Sequence, residues 1–381
     1  MAGPKVYTPF RHDERRVSGA GRRIATPGGV YNMTPPRILF ESGGLSRLPD
    51  VMRDLGVKKA LVVTTPGRNA LGRQIAELLG SGRAELLPEA ISQVPIESAI
   101  RGREIFRASG ADVIITAGGG AAIGLGKGIC LEIGAPIIAI PTTYSGSEMT
   151  GFCGITIDGV KRMHVSLKML ASCVIYDPKL SVTLPIDVSA ASAFNALAHC
   201  IDVMYVPTVS PLILPSAVEG AQTVMEALPR VARDPSNVDA RADLLYGAML
   251  GGAALTGGFA FQHGLAHTLG GSFGVPHGPS HALVLPHVTA YNQRHAPEAL
   301  DPLVKALGMP NLGGGLFDLL AASGLPQSLR AYGLDESIID RTADITVETD
   351  NGLNPGPITR DCIAAILRAA LEGKRPTSAQ A

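Results

Sequence analysis

Residues 35–182 read as an α/β domain on a parallel sheet and residues 183–372 as an all-α domain, flanked by an arm (1–34) and a short tail (373–381). Three observations predict this. Apolar runs alternate with amphipathic stretches roughly every 30 residues up to about residue 181, the rhythm of strand–helix–strand units. Beyond about residue 183 apolar residues recur only with a helical period. Glycine-rich turns follow the strongest apolar runs, where a chain leaving a buried strand needs tight turns and close backbone approach.

The elements follow in order. RILFESGG, after Pro35, is a short strand with a glycine stop, and SRLPDVMRDLG is a helix ended by Gly56. KKALVVTT is a buried strand broken by Pro66-Gly67. A helix over 69–79, a weak strand over 83–87 and a helix near 96–108 come next. ADVIITAGGG runs from a strand into three glycines, and APIIAIPTT is the strand after the following helix. CVIYDPKL (173–180) closes the sheet. Helical periods then fill 189–205, 215–230, 237–256, 260–270, 280–294, 297–308, 314–323, 335–346 and 358–372. The crevice between the halves is the expected ligand site.

Composition narrows the class. Apolar residues are 46% of 381, enough for a large core, and 33 basic residues balance 33 acidic ones. A neutral chain carries no bulk electrostatic footprint for nucleic acid or an anionic membrane. The five cysteines, at 130, 153, 173, 200 and 362, show no CxxC spacing and form no disulfide framework. The N-terminus lacks a secretory apolar core, and no run of about 18 apolar residues occurs. A cytoplasmic address is expected. The arm has five Arg and one Lys against one Asp and one Glu, and reads as an extension or a subunit contact.

Two loops point to a nucleotide. Gly118, Gly119 and Gly120 sit between a buried strand and a helix that carries Lys127, a place where backbone N–H groups and the helix N-terminus meet a pyrophosphate. The spacing is neither GxGxxG nor GxxxxGK[ST]. The second loop, Pro141-Thr142-Thr143-Tyr144-Ser145-Gly146-Ser147-Glu148, brings hydroxyls to the end of another strand. Thr65, with Arg68 behind it, stands where an NAD-selective site places an acidic side chain. Without that carboxylate, both NADH and NADPH are open.

Six of nine histidines lie between 263 and 295. His263 and His267 are i,i+4 on one helix face, as are Asn195 and His199 upstream. His277 follows after a turn. Two readings stand. His199, His263 and His277, with Asn195, could hold a metal, although an amide brings no charge to offset the cation. Alternatively, His267 and His277 polarise a carbonyl and move a proton without a metal, from opposite sides of the substrate. His281 is expected to make a structural hydrogen bond, and His295 to lie on the surface.

With these residues assembled, the chain resembles the iron-containing alcohol dehydrogenase superfamily over about residues 36–372. The carriers are GGGAAIGLGK (118–127), PTTYSGSE (141–148), N-x3-H (195–199) and His263 with His277. Within it, the chain is most similar to the maleylacetate reductase branch through PTTYSGSEMTG, IGLGKGI, SAFNALAH, ARADLLYGAMLGG and LVLPHVTAYN. It departs at Ala121 and Ala122, at Gly264, where that branch has Lys, and at Pro279, where it has Glu. The resemblance implies a dehydroquinate synthase-like fold, a homodimer, and NAD(P)H-dependent reduction of a small oxo acid or activated alkene in aromatic catabolism. The metal is expected to be absent because Asn195 replaces the ligand Asp. Lys161, Arg162 and Lys168 are candidate partners for a substrate carboxylate. A metal-dependent alcohol dehydrogenase and a non-redox nucleotide-binding relative are the alternatives.

Overall fold

Six strands assemble first in the logic of the fold, because the four inner ones are too apolar to face water. In the computed structural model, which describes residues 36–207 and 209–377, they are β1 (Arg37–Phe40), β2 (Ala60–Val63), β3 (Ala84–Leu87), β4 (Val113–Gly118), β5 (Ile137–Pro141) and, beyond an added hairpin, β8 (Cys173–Tyr176). They pair in parallel in the order β1-β8-β5-β4-β2-β3. The four inner strands are buried along their whole length, as expected where helices cover both faces. Alternation sorts their side chains. Val62, Ile115, Ile138 and Ile175 pack under α1 (Leu48–Asp54) and α2 (Asn69–Leu79). Leu61, Ile114 and Val174 face the opposite way, with Phe106 of α3 (Ile96–Ser109) and Ile129 of α4 (Gly120–Ile133). The expected arm at 1–34 and the last four residues of the tail, 378–381, lie outside the described residues.

Between β5 and β8 the chain makes an antiparallel hairpin, β6 (Phe152–Ile157) and β7 (Val160–Val165). Sequence reading missed it. Its glycines and the basic run Lys161-Arg162 hide the strand signal, and β7 is almost wholly exposed.

The second half is helical: α5 (Ile186–Met204), α6 (Leu214–Arg233), α7 (Val238–Ala254), α8 (Phe261–Phe273), α9 (His277–His295), α10 (Pro297–Leu307), α11 (Leu312–Ala322), α12 (Ile339–Glu348) and α13 (Arg360–Glu372). α5 is buried over most of its surface and packs against α6, α7, α8 and α9. A helix apolar on all sides belongs in such a centre, so the buried polar residues of its C-terminal half, Asn195, His199 and Asp202, are conspicuous. No single helix among the described residues is long and apolar enough to cross a membrane. The core continues from the sheet into the helices through Tyr144 and Tyr176.

Candidate active site

The crevice begins where the sheet changes direction. Leaving β2, the chain steps outward to β3, and every later strand adds on the other side, so β2 and β4 flank the switch point. Gly118 ends β4, Gly119 precedes α4 and no side chain caps the helix, so its first N–H groups stay free for an anion. Thr142 N–H donates to the Gly118 carbonyl (3.0 Å), which ties the two predicted loops together. A Cβ on Gly119 would lie 2.7 Å from Thr143 Cγ2. Gly119 therefore admits the threonine first. Thr142 Oγ1 and Ser145 Oγ are buried without partners. Thr65, half-buried after β2, stands at the rim, and Arg68 turns to donate to Thr183 Oγ1 (3.0 Å).

Two predicted cofactor contacts are corrected. Lys127 is buried and donates to the Ser147 carbonyl (2.5 Å), Thr150 Oγ1 (3.1 Å) and the Phe152 carbonyl (2.9 Å). Its three protons are spent inside the protein, where desolvation lowers its pKa to about 8. It braces the loop, including Ser147, and does not reach a phosphate. Tyr144 is fully buried, and its hydroxyl accepts from Arg241 Nη1 (2.9 Å). Arg241 also donates to Ser189 Oγ and the Leu184 carbonyl, so this pair fastens the loop to the helical half. Glu148 likewise points inward and accepts from the Tyr176 hydroxyl (2.7 Å).

Backbone contact seals the same junction. Gly146 has φ 68°, and a Cβ on Gly252 of α7 would lie 2.3 Å from the Gly146 carbonyl oxygen. Asn195 Nδ2 donates to the Ser145 carbonyl (3.3 Å), leaving its Oδ1 buried and unpartnered.

Across the crevice the histidines meet. α8 ends at Gly274 in the left-handed region (φ 72°), and Pro276 starts α9 at His277. This sharp return sets one helix's histidines against the other's. Ring centroids are 5.9 Å apart for His267–His277, 4.7 Å for His277–His281, and 4.8 Å for His263–His281. His199 stacks on His263 at 5.3 Å. His263 Nδ1 contacts Asp202 Oδ2 at 2.6 Å, which fixes the ring and turns Nε2 inward. Asp202 also accepts from Ala260 N–H, His263 N–H and the Tyr205 hydroxyl. The sequence reading did not find Asp202. Its i+3 offset from His199 inside a buried helix was the available signal.

Desolvation by the packed surroundings holds four of these imidazoles below the ordinary histidine value. It pushes His199, His267 and His281 well below the ordinary histidine value, with neighbouring imidazoles adding to it. His277 falls to about 4, by desolvation and then by the charge of Lys161. Of the three candidate cations, Lys161 is the one that acts on these histidines. Its stem lies over Gly154 on β6, Arg162 points to the other face of the ribbon by strand alternation, and Lys168 acts instead on Cys130 of α4.

Two expectations about the histidines change. His267 and His277 are stacked neighbours, with rings 25° apart, so they approach a substrate from one side. His281 is fully buried with neither ring nitrogen hydrogen-bonded, so it makes no structural hydrogen bond. His295 is exposed near the end of α9, as expected.

This architecture sets a glycine turn and a hydroxyl-lined loop in the same molecule as a histidine cluster. A sequence model described as "Iron-containing alcohol dehydrogenase" matches residues 35–178, and one described as "Fe-containing alcohol dehydrogenase family, C-terminal" matches 189–371. The chain belongs to the iron-containing alcohol dehydrogenase family. Maleylacetate reductase from Burkholderia cepacia is 41% identical over 349 residues, covering 91% of this chain and 99% of that one. The crystal structure of maleylacetate reductase from Agrobacterium tumefaciens superposes with a TM-score of 0.87 at 39% identity, covering 91% of this chain and 99% of that one. That of 1,3-propanediol oxidoreductase has a TM-score of 0.85 at 26% identity, covering 90% and 100%. Within the family the chain falls in the maleylacetate reductase branch, and it is an oxidoreductase of that kind.

The family name raises the question of iron. The residues in its ligand order are Asn195, His199, His263 and His277, and they do not fit a shared ion. Asn195 supplies no charge. Among the described residues the ring nitrogens of His199, His263 and His277 are not brought together as one ligand group. The ring nitrogens that do converge belong to His267, His277 and His281.

Proposed function

We propose that the protein reduces a small oxo acid or activated alkene of the maleylacetate type, using NADH or NADPH. The carrying observation is the stacked pair of imidazoles, His267 and His277, with ring centroids 5.9 Å apart, both held below the ordinary histidine value by desolvation and, in part, by the charge of Lys161. The residues fit a dinucleotide. Gly118–Gly120 and the uncapped start of α4 would take its pyrophosphate, and the unpartnered Thr142 Oγ1 and Ser145 Oγ would take its polar groups. When bound, the nicotinamide supplies a hydride to a carbon conjugated with the substrate ketone. Negative charge then builds on the ketone oxygen. His267 and His277 meet that charge with ring N–H groups, which cost no reorganisation at that moment. A proton from solvent water, relayed through the same pair, completes the saturated product. Lys161 offers its ammonium to a substrate carboxylate, in place of the lysine absent at Gly264.

Thr65, in place of an acidic side chain, supports use of both cofactors. The five free thiols and balanced charge support a cytoplasmic protein that binds neither nucleic acid nor membrane. A homodimer and a role in aromatic catabolism are what the resemblance to that branch implies.

The test follows loss of reduced-nicotinamide absorbance with a panel of oxo acids. A positioned histidine acid contributes about 10²–10⁴-fold in rate. His267→Ala and His277→Ala should each lower kcat by about that factor and leave NADH affinity intact. Unchanged turnover in both variants would overturn the reading.

A further inference from the structure

His267, His277 and His281 each offer a ring nitrogen, and these atoms all lie within 4.8 Å of one another. Two helices arrange this. His267 stands on α8, while His277 and His281 are i,i+4 on α9 and share a face. The third member is the informative one. His281 has no solvent exposure, and neither of its ring nitrogens has a hydrogen-bond partner. A neutral imidazole carries one donor and one acceptor, and leaving them buried and unpaired costs free energy. Nothing else in the proposed reaction uses this ring.

We infer that His267, His277 and His281 form a binding site for a divalent cation of the zinc class, offset from the positions that bear the family's metal ligands. Three imidazoles with an open fourth position suit zinc, whereas magnesium and calcium require oxygen donors. Tetrahedral zinc with bonds of about 2.0–2.1 Å holds its ligand nitrogens roughly 3.3–3.4 Å apart. The three nitrogens therefore need to close by no more than about 1.5 Å, within reach of small ring rotations. His277 is exposed and His267 half-buried, so an ion enters from the crevice. His263 stays outside the set because its ring nitrogens are not among those that converge within 4.8 Å. Binding forms three dative bonds from imidazole lone pairs and changes no oxidation state. It also occupies the two rings assigned to the ketone oxygen, so the cation inhibits the reductase.

Metal binding is read without turnover, so its outcome is separate from that of the proposed reaction. The full-length chain, stripped with chelator, is titrated with Co²⁺ by visible absorption and with Zn²⁺ by equilibrium dialysis. The expected result is one ion per chain with the intense bands of four-coordinate Co²⁺. His281→Gln and His267→Gln should each weaken binding by at least about tenfold, the scale already lost when only outer-sphere groups are removed. His199→Gln should leave it unchanged. His267 is half-buried on α8, so its variant stays informative even if the buried His281 substitution disturbs folding. Absence of stoichiometric binding by the wild type would overturn the proposal. So would full binding by His267→Gln with loss in His199→Gln, which places the ion on the family's ligand positions.

Discussion

Replacing His287 with leucine should flatten the acid sensitivity of this protein, and the structure gives the size of the effect. His287 lies on α9, 6% exposed, edge-on to Phe317, with Nε2 unpartnered. Desolvation lowers its pKa from 6.5 to about 4. A histidine whose folded value is depressed contributes stability that is complete above its unfolded value and lost as pH falls toward the folded one. Between pH 7 and pH 5 the unfolded chain gains roughly 0.7 proton at this residue while the native protein gains roughly 0.1. Integrating that difference gives about 2 kcal/mol of lost stability. A domain's whole stability is about 5–15 kcal/mol, so the loss is measurable. His199, His267 and His281 are shifted in the same direction and steepen the wild-type curve. The assay is urea unfolding of wild type and His287→Leu at pH 7, 6 and 5. The variant should lose about 2 kcal/mol less than wild type across that range. Parallel losses in the two proteins would show that His287 is not held neutral by burial.

Other substitutions probe the site itself. Gly252→Ala puts a methyl 2.3 Å from the Gly146 carbonyl oxygen; it should destabilise the protein by about 1–3 kcal/mol or more and raise KM for the dinucleotide. A wild-type KM in a folded variant would count against a rigid loop 141–148. Asp202→Asn sets an amide donor among groups that already donate, and should cost about 1–3 kcal/mol by urea unfolding and lower kcat as His263 loses its anchor; unchanged stability and kcat would contradict the anchoring role. Lys161→Ala should raise KM for an oxo acid far more than it lowers kcat, and a pure kcat effect would remove Lys161 from carboxylate binding.

Much of this molecule is legible from local pattern. The sheet strands are short runs too apolar to lie anywhere but in a covered parallel sheet, and the helices announce themselves by period, with Gly56, Gly110, Gly134 and Gly274 closing four of them. The residues that form the crevice were likewise visible, because three glycines or i,i+4 histidines are unusual at any surface. Function followed from a resemblance spread over nearly the whole chain. Local pattern is silent on direction, and direction decides chemistry. Lys127 follows a glycine turn as a phosphate-binding lysine would, yet its ammonium turns into the protein because three oxygens wait there. Tyr144 belongs to a polar loop and is buried because Arg241, 97 residues on, satisfies its hydroxyl. The hairpin at 152–165 escapes periodicity because β7 is almost wholly exposed and β6 buries only the alternate residues Cys153 and Ile155. Asp202 and His281 gain their roles from rings on other helices, through contacts spanning 61 residues in one case. Sequence by itself determined which side chains line the crevice; the tertiary packing decided which of them point into it, because only packing sets what each buried polar atom can reach.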